Sequence, residues 1–146
     1  MYKFSQQSLD YFHNVHPKLV EIMKEAIIDS PFDFKITAGS RTAKEQNELY
    51  QQGRTRKGIK VTNCDGYNRK SNHQIKKDGY GHAVDIFLCG EYKDGKYVKF
   101  TTEQGYNYKR LSLVAKHIKE VAKNKGIDVK WGGNWKNIQD SPHFEI

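Results

Sequence analysis

Two histidines and two aspartates of this 146-residue chain have the types and spacing that metal-assisted hydrolysis requires. His73 lies near the middle of the chain, Asp85 follows on the next predicted strand, and Asp140 and His143 lie close to the end. A hydrolytic zinc site uses three imidazole or carboxylate ligands and leaves a fourth position open for water. His73, Asp85 and His143 would meet that requirement.

Asp140 is a candidate general base, because such a site also needs a carboxylate within hydrogen-bond reach of the attacking water. It lies three residues before His143, and in a flat strand that separation would point the two side chains to opposite faces. A bend at Ser141-Pro142 would turn both side chains to one pocket. Spacing alone leaves open whether these residues form a metal centre or have ordinary structural roles.

Length and composition favour one globular domain over residues 1–146, with no separate binding domain. Only 36% of residues are hydrophobic, but 12% are aromatic, so large side chains must account for much of the burial. Lys and Arg number 25 against 17 Asp and Glu, and the net charge is +8. This excess favours a polyanionic partner such as nucleic acid, anionic lipid or an anionic cell wall.

The N-terminus has no apolar segment of signal-peptide length, and no window approaches 18 apolar residues. We therefore expect cytoplasmic synthesis without a signal peptide, and no transmembrane segment. Cys64 and Cys89 lack Cys-x-x-Cys spacing, and we expect two reduced, partly buried thiols.

Hydrophobic spacing predicts four helices. They are expected over Ser8–Phe12, from Pro17 to before Ser30-Pro31, from Thr42 to Gly53, and over about Tyr108–Lys125 with Gly126 as the stop. Thr42 and Glu45 predict a capping box for the third helix. Leu49 and Tyr50 are expected to form its apolar face.

Alternation predicts the strands, and the resulting fold class is α+β with a small antiparallel sheet and helices packed on one side. The strands are expected at Phe34–Thr37, at His82–Leu88, in a hairpin over Glu91–Tyr97 with Asp94-Gly95 as its turn, at Val129–Trp131 and at Phe144–Ile146. Asp85 would lie in mid-strand, where burial of an acid is costly without a partner, which indicates a cation.

Residues 53–81 are predicted to form a long loop with at most a short strand at Ile59–Thr62, and loops of this length usually have a function. Three further histidines, His13, His16 and His117, are predicted to have capping, surface or boundary roles. No acidic or cysteine partner accompanies them in the sequence.

Four motifs in order resemble those of the peptidoglycan-cleaving zinc peptidases of the lysostaphin, D-Ala-D-Ala and hedgehog group. The motifs are Ser71-x-His73, Gly81-x-Ala83-x-Asp85, Trp131-Gly132-Gly133-x-Trp135 and Asp140-x-Pro142-His143-Phe144. Within that group the chain most closely resembles the L-alanyl-D-glutamate peptidases used as bacteriophage endolysins. The likeness extends upstream through Ile36–Asn63, covers about residues 17 to 146, and implies a hedgehog/DD-peptidase-like fold.

The resemblance also implies roles for individual residues. His73, Asp85 and His143 would bind Zn²⁺, and Asp140 would activate the water and then protonate the leaving amine. Arg41 would stabilise the oxyanion or hold the scissile carbonyl, for which its planar charged fork is suited. Ser71 could contact the substrate, with loop capping as the alternative. One of Trp131 and Trp135 could line the substrate groove, and Trp131 is the preferred residue, with core positions for both as the alternative.

The chain departs from the family pattern in the loop after His73. The usual spacing is His-x-x-Gly-x-Ala-x-Asp, whereas here Gly81 follows His73 by eight residues rather than three. Asp78, His82 and Cys89 are therefore alternative ligands. His73 is preferred because it keeps the Ser-x-His context, and His82 would lie on the strand face opposite Asp85.

The expected function is hydrolysis of a peptide bond in the peptidoglycan stem peptide, most closely the L-alanyl-D-glutamate bond, by a monomeric endolysin that acts on the wall after release. Nucleic acid is not an expected partner. One alternative is a D-alanyl-D-alanine carboxypeptidase or dipeptidase built on the same site. Another is a non-catalytic basic module that binds wall polymer or nucleic acid.

Overall fold

The computed structural model describes residues 1–146 and contains five strands, five α-helices and one short 3-10 helix. The helices are α1 (Gln6–Asp10), α2 (Pro17–Ala26), α3 (Ala43–Gln51), α4 (Thr102–Gly105) and α5 (Tyr108–Asn124), and the 3-10 helix is Gly132–Asn134. The strands are β1 (Asp33–Ala38), β2 (Ala83–Lys93), β3 (Lys96–Lys99), β4 (Lys130–Trp131) and β5 (His143–Glu145).

All strand pairs are antiparallel, and the sheet order is β1-β2-β5-β4, with β3 paired to the outer half of β2. The β2–β3 hairpin turns at Asp94 and Gly95, as predicted. Their φ values of 54° and 76° are the two positive angles that a type I′ turn requires. The long β2 therefore joins the hairpin at one end of the sheet to the candidate site at the other.

The alternation along β2 separates a core face from a site face. Val84, Ile86 and Leu88 are fully buried, and they pack in one hydrophobic cluster with the apolar faces of α2 and α5. Asp85 and Phe87 alternate with them and are only half-buried. The prediction of an α+β fold with helices packed on the sheet is confirmed, and it leaves Asp85 on the face away from this core.

Local signals in the sequence explain the helix starts. Thr42 and Glu45 form the predicted capping box of α3, and Asn107 caps α5. His16 caps α2, because its Nδ1 accepts the Lys18 N–H at 3.1 Å. The predicted capping role of this histidine is confirmed.

Residues 59–62 form no strand, which agrees with the prediction of a long loop with at most a short strand there. Several other local predictions were wrong. Helix α4 was not predicted, β2 begins at Ala83 rather than His82, and β5 begins at His143 rather than Phe144. In α3 the fully buried residue is the polar Gln46, whereas Leu49 and Tyr50 are only half-buried. This helix therefore packs through a hydrogen-bonded amide instead of an apolar face.

Cys64 and Cys89 are free and half-buried, as predicted. No helix of the chain combines the length and the apolar character needed to cross a bilayer.

Candidate active site

Strand register places Asp85 and His143 side by side. They are directly opposite partners on β2 and β5, so their side chains share one face of the sheet. Asp85 Oδ1 lies 3.2 Å from His143 Nδ1. Strands β2 and β5 thus supply two of the three predicted ligands.

His73 reaches this point from the long loop and is held there by its backbone and its ring. Its carbonyl accepts the Arg41 N–H at 2.8 Å, and its N–H donates to Ser71 Oγ at 3.2 Å. Its Nδ1–H donates to the Gly39 carbonyl at 2.8 Å. Because Nδ1 carries the proton, the lone pair of the buried ring is on Nε2, which faces the other two residues.

Gly81 allows the loop to approach β2 this closely. A Cβ atom added at Gly81 would lie 2.5 Å from the His73 carbonyl oxygen, which is shorter than any normal contact. The glycine of the Gly81-x-Ala83-x-Asp85 motif is therefore required by the backbone approach that brings His73 to the site.

The three donor atoms fit one metal ion. His73 Nε2 lies 3.1 Å from His143 Nδ1 and 3.3 Å from Asp85 Oδ1. In a tetrahedral site with bonds of about 2.0–2.1 Å, ligand atoms lie about 3.3 Å apart. Two imidazole nitrogens and a carboxylate oxygen at this spacing form a largely buried group that could hold a metal ion.

Glu145 binds His143 Nε2, the ring nitrogen that points away from the cluster, and so fixes the tautomer of this imidazole. Its Oε1 accepts the Nε2–H of His143 at 2.7 Å, and its other oxygen accepts from the Asn72 side-chain amide. This bond leaves the Nδ1 lone pair directed at His73 and Asp85. Such outer partners orient metal-binding histidines and raise their basicity.

The electrostatics of the cluster favour a positive charge between the donor atoms. Burial alone would raise the pKa of Asp85, but the two imidazoles hold that pKa well below its usual range. Burial alone would lower the pKa of His143, but its hydrogen bonds to Asp85 and Glu145 raise the pKa to about 9. A cation at this point would take the place of that proton.

Asp140 lies beside the cluster because of the predicted bend. The His143 N–H donates to the Asp140 carbonyl at 3.1 Å across Ser141-Pro142, and Asp140 Oδ2 lies 3.8 Å from His143 Nδ1. Partial burial and the negative charge of Asp85 raise the pKa of Asp140. A raised pKa makes a carboxylate a better proton acceptor.

Arg41 also faces the cluster. Its Nη2 lies 3.5 Å from Asp85 Oδ2, and its Nη1 donates to Gln46 Oε1 at 3.2 Å. The amide nitrogen of Gln46 donates to Thr62 Oγ1 and to the Cys64 carbonyl. Gln46 thus links the guanidinium to the wall of the long loop.

These residues line a groove of about 960 Å³, a size suited to a peptide segment. One wall comes from the long loop, including Arg69 and Ser71, and the other from residues 134–138. Ser71 lies at the groove, where its Oγ accepts the His73 N–H. This contact is the loop capping considered for Ser71, and its contact with substrate stays a prediction.

The prediction that Trp131 lines the groove needs correction. Trp131 pairs with Phe144 between β4 and β5, is 6% exposed, and donates its Nε1–H to the Ser141 carbonyl at 2.6 Å. Trp135 is 39% exposed, and its ring centroid lies 4.9 Å from that of His143. The aromatic wall of the groove is therefore Trp135.

The alternative ligands lie outside the cluster. Asp78 pairs with His82 at 2.7 Å, and both belong to a separate group with His16. The Cys89 thiol faces the Phe87 carbonyl. Of the candidates, His73, Asp85 and His143 are the ones that converge in the groove beside Asp140.

Sequence reasoning missed Glu145 and Gln46, and of the two tryptophans it chose Trp131 instead of Trp135. A signal for Glu145 was present, because residues two apart in a strand share a face and Glu145 follows His143 by two. Gln46 and Trp135 give no such signal, since their positions depend on the long loop and on the turn after β4.

Comparisons with known proteins place the fold and the cluster among the peptidoglycan peptidases. Residues 1–146 match the family model described as phage L-alanyl-D-glutamate peptidase. The chain is 35% identical over 137 residues to the peptidoglycan L-alanyl-D-glutamate endopeptidase CwlK of Bacillus subtilis (strain 168), covering 92% of this chain and 72% of that protein. The crystal structure of the L-Ala D-Glu endopeptidase ChiX of Serratia marcescens matches with a TM-score of 0.69 at 25% identity, covering 100% of this chain and 90% of that one.

The chain therefore belongs to the phage L-alanyl-D-glutamate peptidase family. The predicted resemblance to these peptidases and the predicted L-alanyl-D-glutamate endopeptidase type are confirmed. Family membership favours the endopeptidase over the carboxypeptidase and over the non-catalytic binding module.

Proposed function

We propose that this protein is a zinc-dependent endopeptidase that hydrolyses the L-alanyl-D-glutamate bond of peptidoglycan stem peptides. One observation supports this most strongly. Three donor atoms of His73, Asp85 and His143 lie 3.1–3.3 Å apart in a groove, with the Asp140 carboxylate beside them. Zn²⁺ is the proposed metal because two imidazoles and one carboxylate are a common catalytic ligand set for it.

His73 and His143 would bind the ion through Nε2 and Nδ1, and Asp85 through Oδ1. When bound, zinc supplies a Lewis acid that polarises a carbonyl and lowers the pKa of water to about 7. Gly39 and Glu145 hold the two imidazoles in the tautomers that this binding needs.

Asp140 would carry the proton. Its carboxylate accepts a proton from the attacking water as the water oxygen bonds to the alanyl carbonyl carbon. It then donates that proton to the glutamyl nitrogen as the carbon–nitrogen bond breaks. The products are a free alanyl carboxylate and a free glutamyl amine.

Arg41 would stabilise the negative charge that develops on the carbonyl oxygen. Gln46 Oε1 accepts a hydrogen bond from the guanidinium, so the charge is already positioned before substrate arrives. Trp135 presents an exposed aromatic face against which the peptide can pack, and Ser71 offers a hydroxyl in the groove.

The net charge of +8 supports action on an anionic wall, which attracts a cationic enzyme. This fits a lytic enzyme of the endolysin type that reaches peptidoglycan after release from the cell in which it is made.

Replacing Asp140 by Asn tests the assignment of the base. Asn keeps the size and removes the proton acceptor, so we expect hydrolysis of purified peptidoglycan to fall by about 10²- to 10⁴-fold. Zinc content and thermal stability should stay near those of the parent protein. The matched control is Asp128→Asn at an exposed position, which should leave hydrolysis unchanged. Full hydrolysis by the Asp140→Asn protein would refute the role.

A further inference from the structure

The lengthened loop after His73 brings together three metal-donor side chains that the proposed reaction does not use. They are His16 at the start of α2, Asp78 in the loop, and His82 just before β2. One donor atom from each lies within 4.8 Å of the others. We propose that His16, Asp78 and His82 form a second metal site, for a divalent transition-metal ion of the zinc class.

The turn that carries Asp78 orients one of its carboxylate oxygens towards His82. Residues 76–80 form a turn in which the Gly79 N–H donates to the Lys76 carbonyl and the Lys76 N–H to the Tyr80 carbonyl, each at 2.9 Å. The Tyr80 N–H donates to Asp78 Oδ1 at 3.0 Å, and Oδ2 then faces His82 Nε2 at 2.7 Å. The carboxylate is therefore oriented by the turn itself.

The two histidines are positioned by backbone contacts that exist without any ion. The His16 N–H donates to the Gly81 carbonyl at 2.9 Å, and the Gly81 N–H donates to the Asn14 carbonyl at 2.7 Å. The His16 ring lies with its centroid 5.0 Å from the His82 ring. The segments that carry the histidines are thus joined before binding, which lowers the entropic cost of assembling the site.

The charge of the group also favours a cation. Partial desolvation opposes ionisation of Asp78, but the hydrogen bonds from His82 and the Tyr80 N–H outweigh it and lower the pKa of Asp78. Two imidazoles with one carboxylate suit zinc, cobalt or nickel, whereas magnesium and calcium prefer oxygen ligands throughout. The side chains are partly exposed, so water can complete the coordination.

Binding would require two hydrogen bonds to be replaced. The ion would take the place of the proton that joins His82 Nε2 to Asp78 Oδ2. His16 Nδ1 accepts the Lys18 N–H as the cap of α2. A neutral imidazole has a single ring lone pair, so coordination by His16 replaces this hydrogen bond. The Lys18 position is exposed, and water can take over its N–H.

An ion at this site would join three parts of the chain that otherwise meet through a few hydrogen bonds. It would tie residues 74–80 to the start of α2 and to the entrance of β2, the strand that carries Asp85. Metal binding would therefore stabilise the lengthened loop after His73. It does not depend on the proposed hydrolytic function.

The test is a metal count on the full chain, using Co²⁺ as the probe. Metal-free protein is titrated with Co²⁺, and bound metal per chain is measured by equilibrium dialysis. We expect two equivalents for the parent protein and one for each of two variants, His16→Asn and Asp78→Asn. Asn at position 16 can still cap α2, so this variant separates the metal role of His16 from its capping role.

Asp94→Asn, in the hairpin turn, is the matched control and should keep two equivalents, because Asn tolerates the φ of 54° found there. Both site variants should retain hydrolysis of peptidoglycan. Loss of a residue that only orients a ligand lowers metal affinity by about 10- to 100-fold. Loss of a ligand should lower the Co²⁺ affinity of the second site by more than that. The same number of equivalents in the parent and in the His16→Asn protein would overturn the proposal.

Discussion

The two histidines of the candidate active site use opposite ring nitrogens toward the same point. His73 donates from Nδ1 to the Gly39 carbonyl, whereas His143 donates from Nε2 to Glu145. Each bond fixes a tautomer, and together they direct two lone pairs at Asp85. The site is therefore defined as much by Gly39 and Glu145 as by its three central residues.

Replacing Glu145 by Gln tests this at the scale of one residue. The Gln oxygen can still accept the His143 Nε2–H, but the negative charge that makes the imidazole more basic is lost. We expect zinc affinity to fall by about 10- to 100-fold. Competition with a chelator of known affinity measures the change. Glu120→Gln, on the exposed face of α5, is the control, and equal affinities in all three proteins would contradict the role of Glu145.

At the scale of elements, α3 connects Arg41 to the long loop through one buried amide. Gln46 is 1% exposed and bonds Arg41, Thr62 and the Cys64 carbonyl. A buried amide with all its partners satisfied defines one arrangement of helix and loop. The polar contact explains why this short helix needs little apolar surface.

Gln46→Leu should break this connection. The variant leaves buried polar groups without partners, which costs about 1–3 kcal/mol, so the free energy of unfolding should fall by that amount. Hydrolysis should fall as well, because Arg41 loses the group that holds it. Urea denaturation and a peptidoglycan assay measure the two effects. Lys44→Leu, on the exposed side of the same helix, should change neither, and a Gln46→Leu protein of full stability would contradict the argument.

Features governed by neighbouring residues were predictable from the sequence. The capping box at Thr42, the Asp94-Gly95 turn and the bend before His143 all depend on a few adjacent residues. The mid-strand acid Asp85 was recognisable because burial of an unpaired charge is unfavourable. That His73 lies close to Asp85 and His143 was predictable from the order of the family motifs, but not from the spacing of these residues alone.

Features governed by distant pairing were not predictable. Trp131 and Trp135 lie in one motif, and only the pairing of β4 with β5 decides that the first is buried and the second exposed. His16 had no acidic neighbour in sequence, and its partners Asp78 and His82 arrive through the fold of the long loop. A polar residue such as Gln46 gives no periodic signal of burial.

At the scale of the whole molecule, the excess positive charge should affect access to the wall more than the chemical step. The net charge is +8, and the Debye length falls from about 10 Å at 0.1 M salt to about 3 Å at 1 M. We expect added salt to slow lysis of intact cell walls while changing hydrolysis of a short soluble stem peptide little. Turbidity and peptide assays over the same salt range measure both, and lysis that is insensitive to salt would contradict this view.

The bond that is cut is the central claim, and the new amino terminus identifies it most directly. Purified peptidoglycan is digested with the zinc-loaded protein, its free amines are labelled, and the labelled residues are identified after acid hydrolysis. The account predicts labelled D-glutamate that increases with time and is nearly absent with the Asp140→Asn protein. Labelled D-alanine instead, or no new amine, would contradict it.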